Sequence, residues 1–459
     1  MPPQLSERIK SIQGVRLPGR PSTWDIHIDH SVGKPTITSV TPHVSEVAEP
    51  PLLLPVLTHP HIHLDKAFVH SAPEYIDLLP STGTFQEALS STTKAKQRFS
   101  HADLLRRGEW LLAESVASGV TAMRAFVEVD HTVELICLEA AIALKNRWAK
   151  SCNIQIACFA QDPIFSSEHG EQNMGFLQNA LSGYDQIDVI GTTPYVESDL
   201  EAAKKNIEWA IDSALQLNKH VDFHLDYNLD PKKEPLVWHV LHTLKDRKWT
   251  SHSSKRIMIG HCSRLTLFSE DDWARLAAEI HDHSLPVTFV GLPTSDVYMA
   301  AAPNGSPQDR PRGTLQILHL IRKHKLDAVM GVNNVGNSFT PCGSADPLSL
   351  ACLGVGIYQA GSQADAELLY ECVSTRARAA IGLEAREGLC VQDGWAPELL
   401  LVRDRDETGC GVSRPRSNVA DVVWSPPGVV NRDIVVGGRL KGSVCNEDDL
   451  YHFSSLPRL

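Results

Sequence analysis

The chain has 459 residues, 42% of them hydrophobic, and a formal net charge of -12 with no Lys/Arg-rich cluster. That size and apolar fraction suit one large domain with a smaller companion, and the acidic balance removes the electrostatic footprint of a nucleic-acid-binding protein. The ten cysteines lie between Cys137 and Cys445 without a C-x-x-C pair. That is neither a disulfide framework nor a zinc ribbon, and no window approaches the run of about 18 apolar residues that a membrane span needs, so a reduced cytoplasmic protein is expected.

At the N-terminus, charges interrupt every apolar stretch of MPPQLSERIKSIQGVRLPGR, in line with that expectation. Residues 20–45 alternate like strands. Eight Val- and Ile-rich runs follow, at 51–58, 119–126, 153–161, 187–193, 220–225, 256–261, 286–291 and 326–332. Helical spacing over 101–118, 199–217 and 270–283 separates them. Alternating strands and helices predict βα units around a parallel sheet, and eight is the number of a (β/α)8 TIM-type barrel. Past the last helices, PELLLVRD, NVADVVWSP and RDIVVGGRLKG read as strands.

Chain ends commonly meet in space. The expected organisation is therefore a barrel over 51–384 and a small β-sandwich-like domain made of 1–50 and 385–459. Two Pro-, Gly- and Ser-containing segments, 67–100 and 299–313, are expected to be irregular loops over the barrel mouth.

Active sites of such barrels lie at the C-terminal ends of the strands. The polar residues there are His59, His61, His63, Asp65 and Lys66 after the first run, Gln161 and Asp162 after the third, and His224, Asp226 and Tyr227 at the fifth. His261 follows at the sixth, and Asn333 and Asn334 after the eighth. Two histidines two apart on an extended segment point the same way, so one metal can accept both, with a third from the fifth strand. A single histidine at a strand end is ordinarily packed or exposed; four at one rim argue for a divalent metal. His-x-His-x-His leaves either pair of His59, His61 and His63 available. His239, His242, His281 and His283 lie on or beside outer helices and read as structural.

The HIHLDK motif, the HLD of the fifth strand and the GHCS of the sixth resemble the cytosine-deaminase-like branch of the amidohydrolase superfamily. The likeness runs from residue 50 to about 384, includes LPTSDVYM at 292–299, and extends to the closing PELLLVRD and IVVGGRLKG. It implies one Zn or Fe ion held by His61, His63 and His224, with Asn333 in the position of a fourth ligand. It also implies that His261 orients the water or substrate and that Gln161 reads a substrate amide. From their places at the rim, Asn334 and Asp296 are expected to meet a small-molecule substrate, although a carboxylate such as Asp296 more often caps a helix or binds a loop amide. The implied reaction is hydrolysis of a C–N bond in a small cyclic amide, amidine or aminated ring, the metal lowering the pKa of water from 15.7 toward roughly 7.

Two departures bear on this. The glutamate of the family's H-x-D-E motif is Tyr227 here, and the aspartate after the last strand is Asn333, which cannot take up a proton at neutral pH. Asp226, Tyr227, Asp162 and Glu128 are the candidate replacements. Two alternatives stay open: a non-hydrolytic isomerase, cyclase or lyase with Tyr227 and His261 as proton carriers, or a barrel reduced to ligand binding. The sequence leaves homo-oligomerisation open.

Overall fold

The computed structural model describes residues 2–31, 33–300 and 313–441 and the backbone of 453–455. Most of the segment expected at 299–313 thus lies outside the described residues. Two eight-stranded sheets carry the fold. The parallel one contains β5 (Leu57–His63), β6 (Val120–Glu128), β7 (Asn153–Ala160), β8 (Ile187–Thr192), β9 (His220–Leu225), β10 (Ile257–His261), β11 (Val287–Gly291) and β12 (Ala328–Met330), in sequence order. Asn333 closes the circle, its N–H donating to His61 O at 3.0 Å while its own carbonyl accepts from His63 N at 2.8 Å. The expected TIM-type barrel is therefore present, sealed by a residue expected at its metal centre.

Local chemistry sets the crossovers. Ser100 accepts from Asp103 N to start the helix His101–Ser118, and Gly119, at φ 109°, ends it in the left-handed region. Asp199 caps Leu200–Leu217, and a Ser269–Asp272 capping box opens Glu270–Asp282. These helices bury Leu, Ile, Val and Ala against the strands in one continuous core.

The antiparallel sheet runs β3 (Thr36–Pro42), β2 (Trp24–Asp29), β1 (Leu5–Val15), β15 (Arg439–Lys441), β14 (Arg432–Val436), β13 (Leu399–Val402) and β4 (Leu52–Pro55), with β16 (Phe453–Ser455) also on β1. Its two ends share a core, with Ile12, Ile26 and Ile37 packed with Leu53, Leu399 and Val435, so the sheet folds over on itself in the expected sandwich-like manner.

Three expectations change. The run 51–58 is two strands: β4 pairs with β13 in the antiparallel sheet, and the barrel strand begins at Leu57. NVADVVWSP contains a helix, Val419–Trp424, because Asn418 caps it by accepting from Asp421 N at 3.0 Å. The segment 67–100 is an ordered cover, with 3-10 turns and the helix Phe85–Lys96.

Candidate metal centre and cavity

β5 carries three histidines, and the strand is irregular where they sit. The three steps from His59 to Ile62 match two on β6, from Met123 to Ala125. Such a bulge breaks the two-residue alternation. His59 consequently leaves the barrel interior: its Nε2 lies 3.1 Å from both Ser115 Oγ and Ala345 O, and burial pushes its pKa down to about 4. His61 and His63 point inward.

There they meet His224 of β9. His61 Nε2 lies 3.1 Å and His63 Nε2 3.0 Å from His224 Nε2, and all three side chains are buried. Burial lowers the pKa of each; Asp222 opposes this at His61, whereas Lys66 adds to it at His63 and the neighbouring imidazoles at His224. Neutral imidazole is the ligating form. Two neutral rings can share one proton, but three nitrogens this close cannot all be satisfied by each other. Zinc bonds of about 2.0–2.1 Å in a tetrahedral arrangement place ligand nitrogens roughly 3.3 Å apart, so the cluster fits a divalent cation. Asn333 Oδ1 is a buried acceptor without a partner on the same cavity wall, while its Nδ2 donates to Ser295 Oγ at 2.9 Å.

Packing holds the rings. Phe126 stands 4.2 Å from His61, and Phe159 4.4 Å from His224, between ring centroids. A Cβ at Gly331 would come within 3.0 Å of His61 Cβ, and one at Gly260 within 3.2 Å of His61 Cε1; glycine at both positions gives this imidazole its space. Below it, Asp222 Oδ1 lies 3.6 Å from His61 Nδ1, and its other oxygen accepts from Arg124 at 3.0 Å.

His261 ends β10 at φ 65°, a strained conformation for a residue with a Cβ. That geometry aims Nδ1 at Asp296 Oδ1, 2.8 Å away. The other Asp296 oxygen accepts from Thr314 Oγ1 at 2.7 Å and Leu292 N at 3.2 Å. Asp296 is fully buried behind His261 and off the cavity wall, so it meets the imidazole and not the cavity, where its place at the rim had suggested substrate. In the tautomer that carries its proton on Nδ1, the ring donates to this carboxylate and presents Nε2 as an acceptor. Tyr227 stacks on this ring at 3.8 Å and donates to Ser295 O at 3.2 Å. Burial, reinforced by Asp296, raises the phenol well above its usual pKa, so it clamps the imidazole as a neutral donor and does not supply a base.

The structure also moves Asp226. Its oxygens accept from Leu236 N at 2.8 Å and Val237 N at 3.1 Å, capping the helix Val237–Asp246, and it does not line the cavity. Burial pushes its carboxyl up to about 7 against those two amides. Asp226→Ala is expected to lower stability by about 1–3 kcal/mol through two orphaned buried amides, measured by denaturant unfolding, with metal content unchanged. A fully stable variant contradicts this capping role.

Glu128 and Asp162 are likewise engaged elsewhere. Burial works to raise the Glu128 carboxyl, but Lys66 and Lys96 overrule it and hold it at about 2. Lys96 also contacts Asp130 and Asp162. Gln161 and Asn334 do reach the wall, as does Lys66 from the first strand end, joined by three residues not named for it from sequence: Tyr195, Ser295 and Phe339. Of these three only Ser295 had a signal, its place in LPTSDVYM.

The cavity these groups enclose is about 20 Å³, room for about one water. An apolar cluster containing Ala88, Met299 and Phe339, with Phe85, Tyr227 and Tyr298 packed against it, adjoins the wall. A ring enters only if this cover shifts.

No family model and no curated protein matches the chain. Solved structures do. The 5-methylcytosine deaminase of Klebsiella pneumoniae, liganded with 5-fluorocytosine, superposes with a TM-score of 0.77 at 18% identity, over 95% of this chain and 98% of that one. The N-isopropylammelide isopropylaminohydrolase of Burkholderia multivorans gives 0.66 at 21% identity, over 94% and 97%. An atrazine chlorohydrolase of Arthrobacter aurescens, complexed with zinc, gives 0.61 at 15% identity, over 94% of each chain. The amidohydrolase resemblance read from the motifs is borne out at the level of the fold.

Proposed function

We propose that the chain is a metal-dependent hydrolase of the amidohydrolase type, cleaving a C–N bond in a small cyclic amide, amidine or aminated ring. The observation that carries this reading is the convergence of three buried imidazoles, two of them 3.0–3.1 Å from the third, beside a histidine whose Nδ1 is held by a carboxylate. His61, His63 and His224 would hold one Zn or Fe ion, and the Asn333 side-chain oxygen, a buried acceptor without a partner, could serve as a further donor. When bound, the ion supplies the Lewis acidity that makes water a nucleophile near neutral pH.

The protein's own residues do the rest. His261 accepts the proton of the attacking water at Nε2 and returns it to the leaving nitrogen, while Asp296 keeps the ring in one tautomer. Tyr227 fixes the plane of that imidazole. Gln161 and Asn334 orient the substrate. Residues 51–384 act as the catalytic barrel and 1–50 with 385–459 as its β support, except that Leu52–Pro55 is hydrogen-bonded into the supporting sheet. The nine described cysteines are free thiols and no described helix is long and apolar enough to cross a membrane, in keeping with a cytoplasmic site of action.

A ligand-binding barrel without turnover draws support from one fact: no carboxylate lines the cavity among the described residues. Asn333→Asp separates the two. Restoring a carboxylate should raise hydrolysis, read as ammonia release from aminated rings and as ring opening of cyclic amides, at least about 10-fold, the low side of acid–base help. No gain on any substrate favours binding alone.

A further inference from the structure

The cavity wall carries a charge pattern that the metal centre does not use. Its one lysine or arginine among the described residues is Lys66. The Lys66 side chain is 3% exposed, and its Nζ has two oxygen partners, Glu128 Oε1 at 2.7 Å and Gln161 Oε1 at 3.1 Å. An ammonium has three N–H donors, so one is left toward the cavity. Glu128 sits behind the wall and divides its charge, since its other oxygen is 2.6 Å from Lys96 Nζ.

The neighbouring amides agree in polarity. Gln161 spends its carbonyl on Lys66 and is hydrogen-bonded to the Tyr195 hydroxyl. Asn334 Oδ1 accepts from Asn337 at 2.8 Å, which leaves the Asn334 NH2 uncommitted. Phe159 and Phe339 flank the ammonium, their centroids 5.7 and 5.5 Å away, and keep it dry. Phe159 also packs on His63 and His224, which places Lys66 beside the imidazole cluster. This side of the cavity offers donors and one positive charge. A ring presenting amino groups would bring donors to donors.

We infer that the ring bound here carries an anionic oxygen, either a ring-imide oxyanion or a carboxylate, and that Lys66 is the positioning residue that receives it. The inference rests on the hydrolase reading for its ring and adds the ring's charge. A buried cation with an open donor is stabilised by an anionic acceptor more than by a neutral one.

Calorimetric titration of the metal-loaded protein tests this with three probes: barbiturate as a ring oxyanion, orotate as a ring carboxylate, and uracil as the uncharged ring. Metal content is measured on the same samples. At least one anion should bind about 10-fold or more tightly than uracil, the scale of one hydrogen bond to a charged group. Lys66→Met should abolish that preference and Lys66→Arg should keep part of it. If Lys66→Met does not fold, Gln161→Glu, which sets a carboxylate against the ammonium, should abolish it instead. Preference for barbiturate alone assigns the imide, and for orotate alone the carboxylate. Uracil binding as tightly as both anions, binding of none of the three, or a preference that survives Lys66→Met overturns the inference. A Lys66-dependent preference in protein that takes up no metal overturns the hydrolase reading and leaves the anion assignment standing.

Discussion

His224→Ala is expected to remove bound metal and hydrolysis together, with activity falling by well over about 100-fold. The size follows from comparison: groups that merely orient a metal ligand are worth about 10–100-fold, and His224 is the nitrogen against which both other ligands close. The fold should survive, because the His224 side chain makes no hydrogen bond other than those two among the described residues, and β9 is held on both sides by backbone pairing. Far-ultraviolet circular dichroism and elemental analysis of one preparation check both halves. A variant that kept full metal would move the centre elsewhere.

His261→Asn should leave the metal in place and reduce kcat by about 10²–10⁴-fold, the usual worth of a positioned proton carrier. Asp296→Asn should produce a smaller loss of the same kind, since an amide can present either an acceptor or a donor to Nδ1 and no longer pins one tautomer. Tyr227→Phe loses only the bond to Ser295 O and retains the stacking; its phenol is held protonated by burial, so its effect should be the mildest of the three. Were Tyr227→Phe to cost as much as His261→Asn, the phenol would be carrying a proton and the isomerase or lyase reading would return.

Much of this site was legible in the sequence because strand ends and histidine spacing are local properties. His61, His63, His224 and His261 needed only a strand count to be placed on one rim. What was not legible depends on register and on distant chain. The choice between His59 and His63 is made by one extra residue in β5 relative to β6, which alternation alone does not reveal. Asp226 looked reactive at a strand end, yet it caps a helix that starts eleven residues later. Asp296 looked like a rim residue, and a short helix, Pro293–Met299, turns it inward behind His261.

The ends of the chain show the same limit. β1 escaped notice because Glu7, Arg8 and Lys10 interrupt its apolar residues, although Ile9, Ile12 and Val15 are buried. The apolar run 51–58 conceals a change of sheet near Pro55, a residue with no N–H to offer a ladder. Lys66 was visible in its motif, but its partners Glu128, at the end of β6, and Gln161, just past β7, are brought beside it only by the barrel.

The account stands on one metal centre, and elemental analysis of the purified protein beside His61→Ala and His261→Asn tests it most directly. About one zinc or iron per chain is expected in the parent and in His261→Asn, and close to none in His61→Ala. A folded parent that takes up no divalent metal, or a His61→Ala protein that keeps its full complement, would contradict the assignment of His61, His63 and His224.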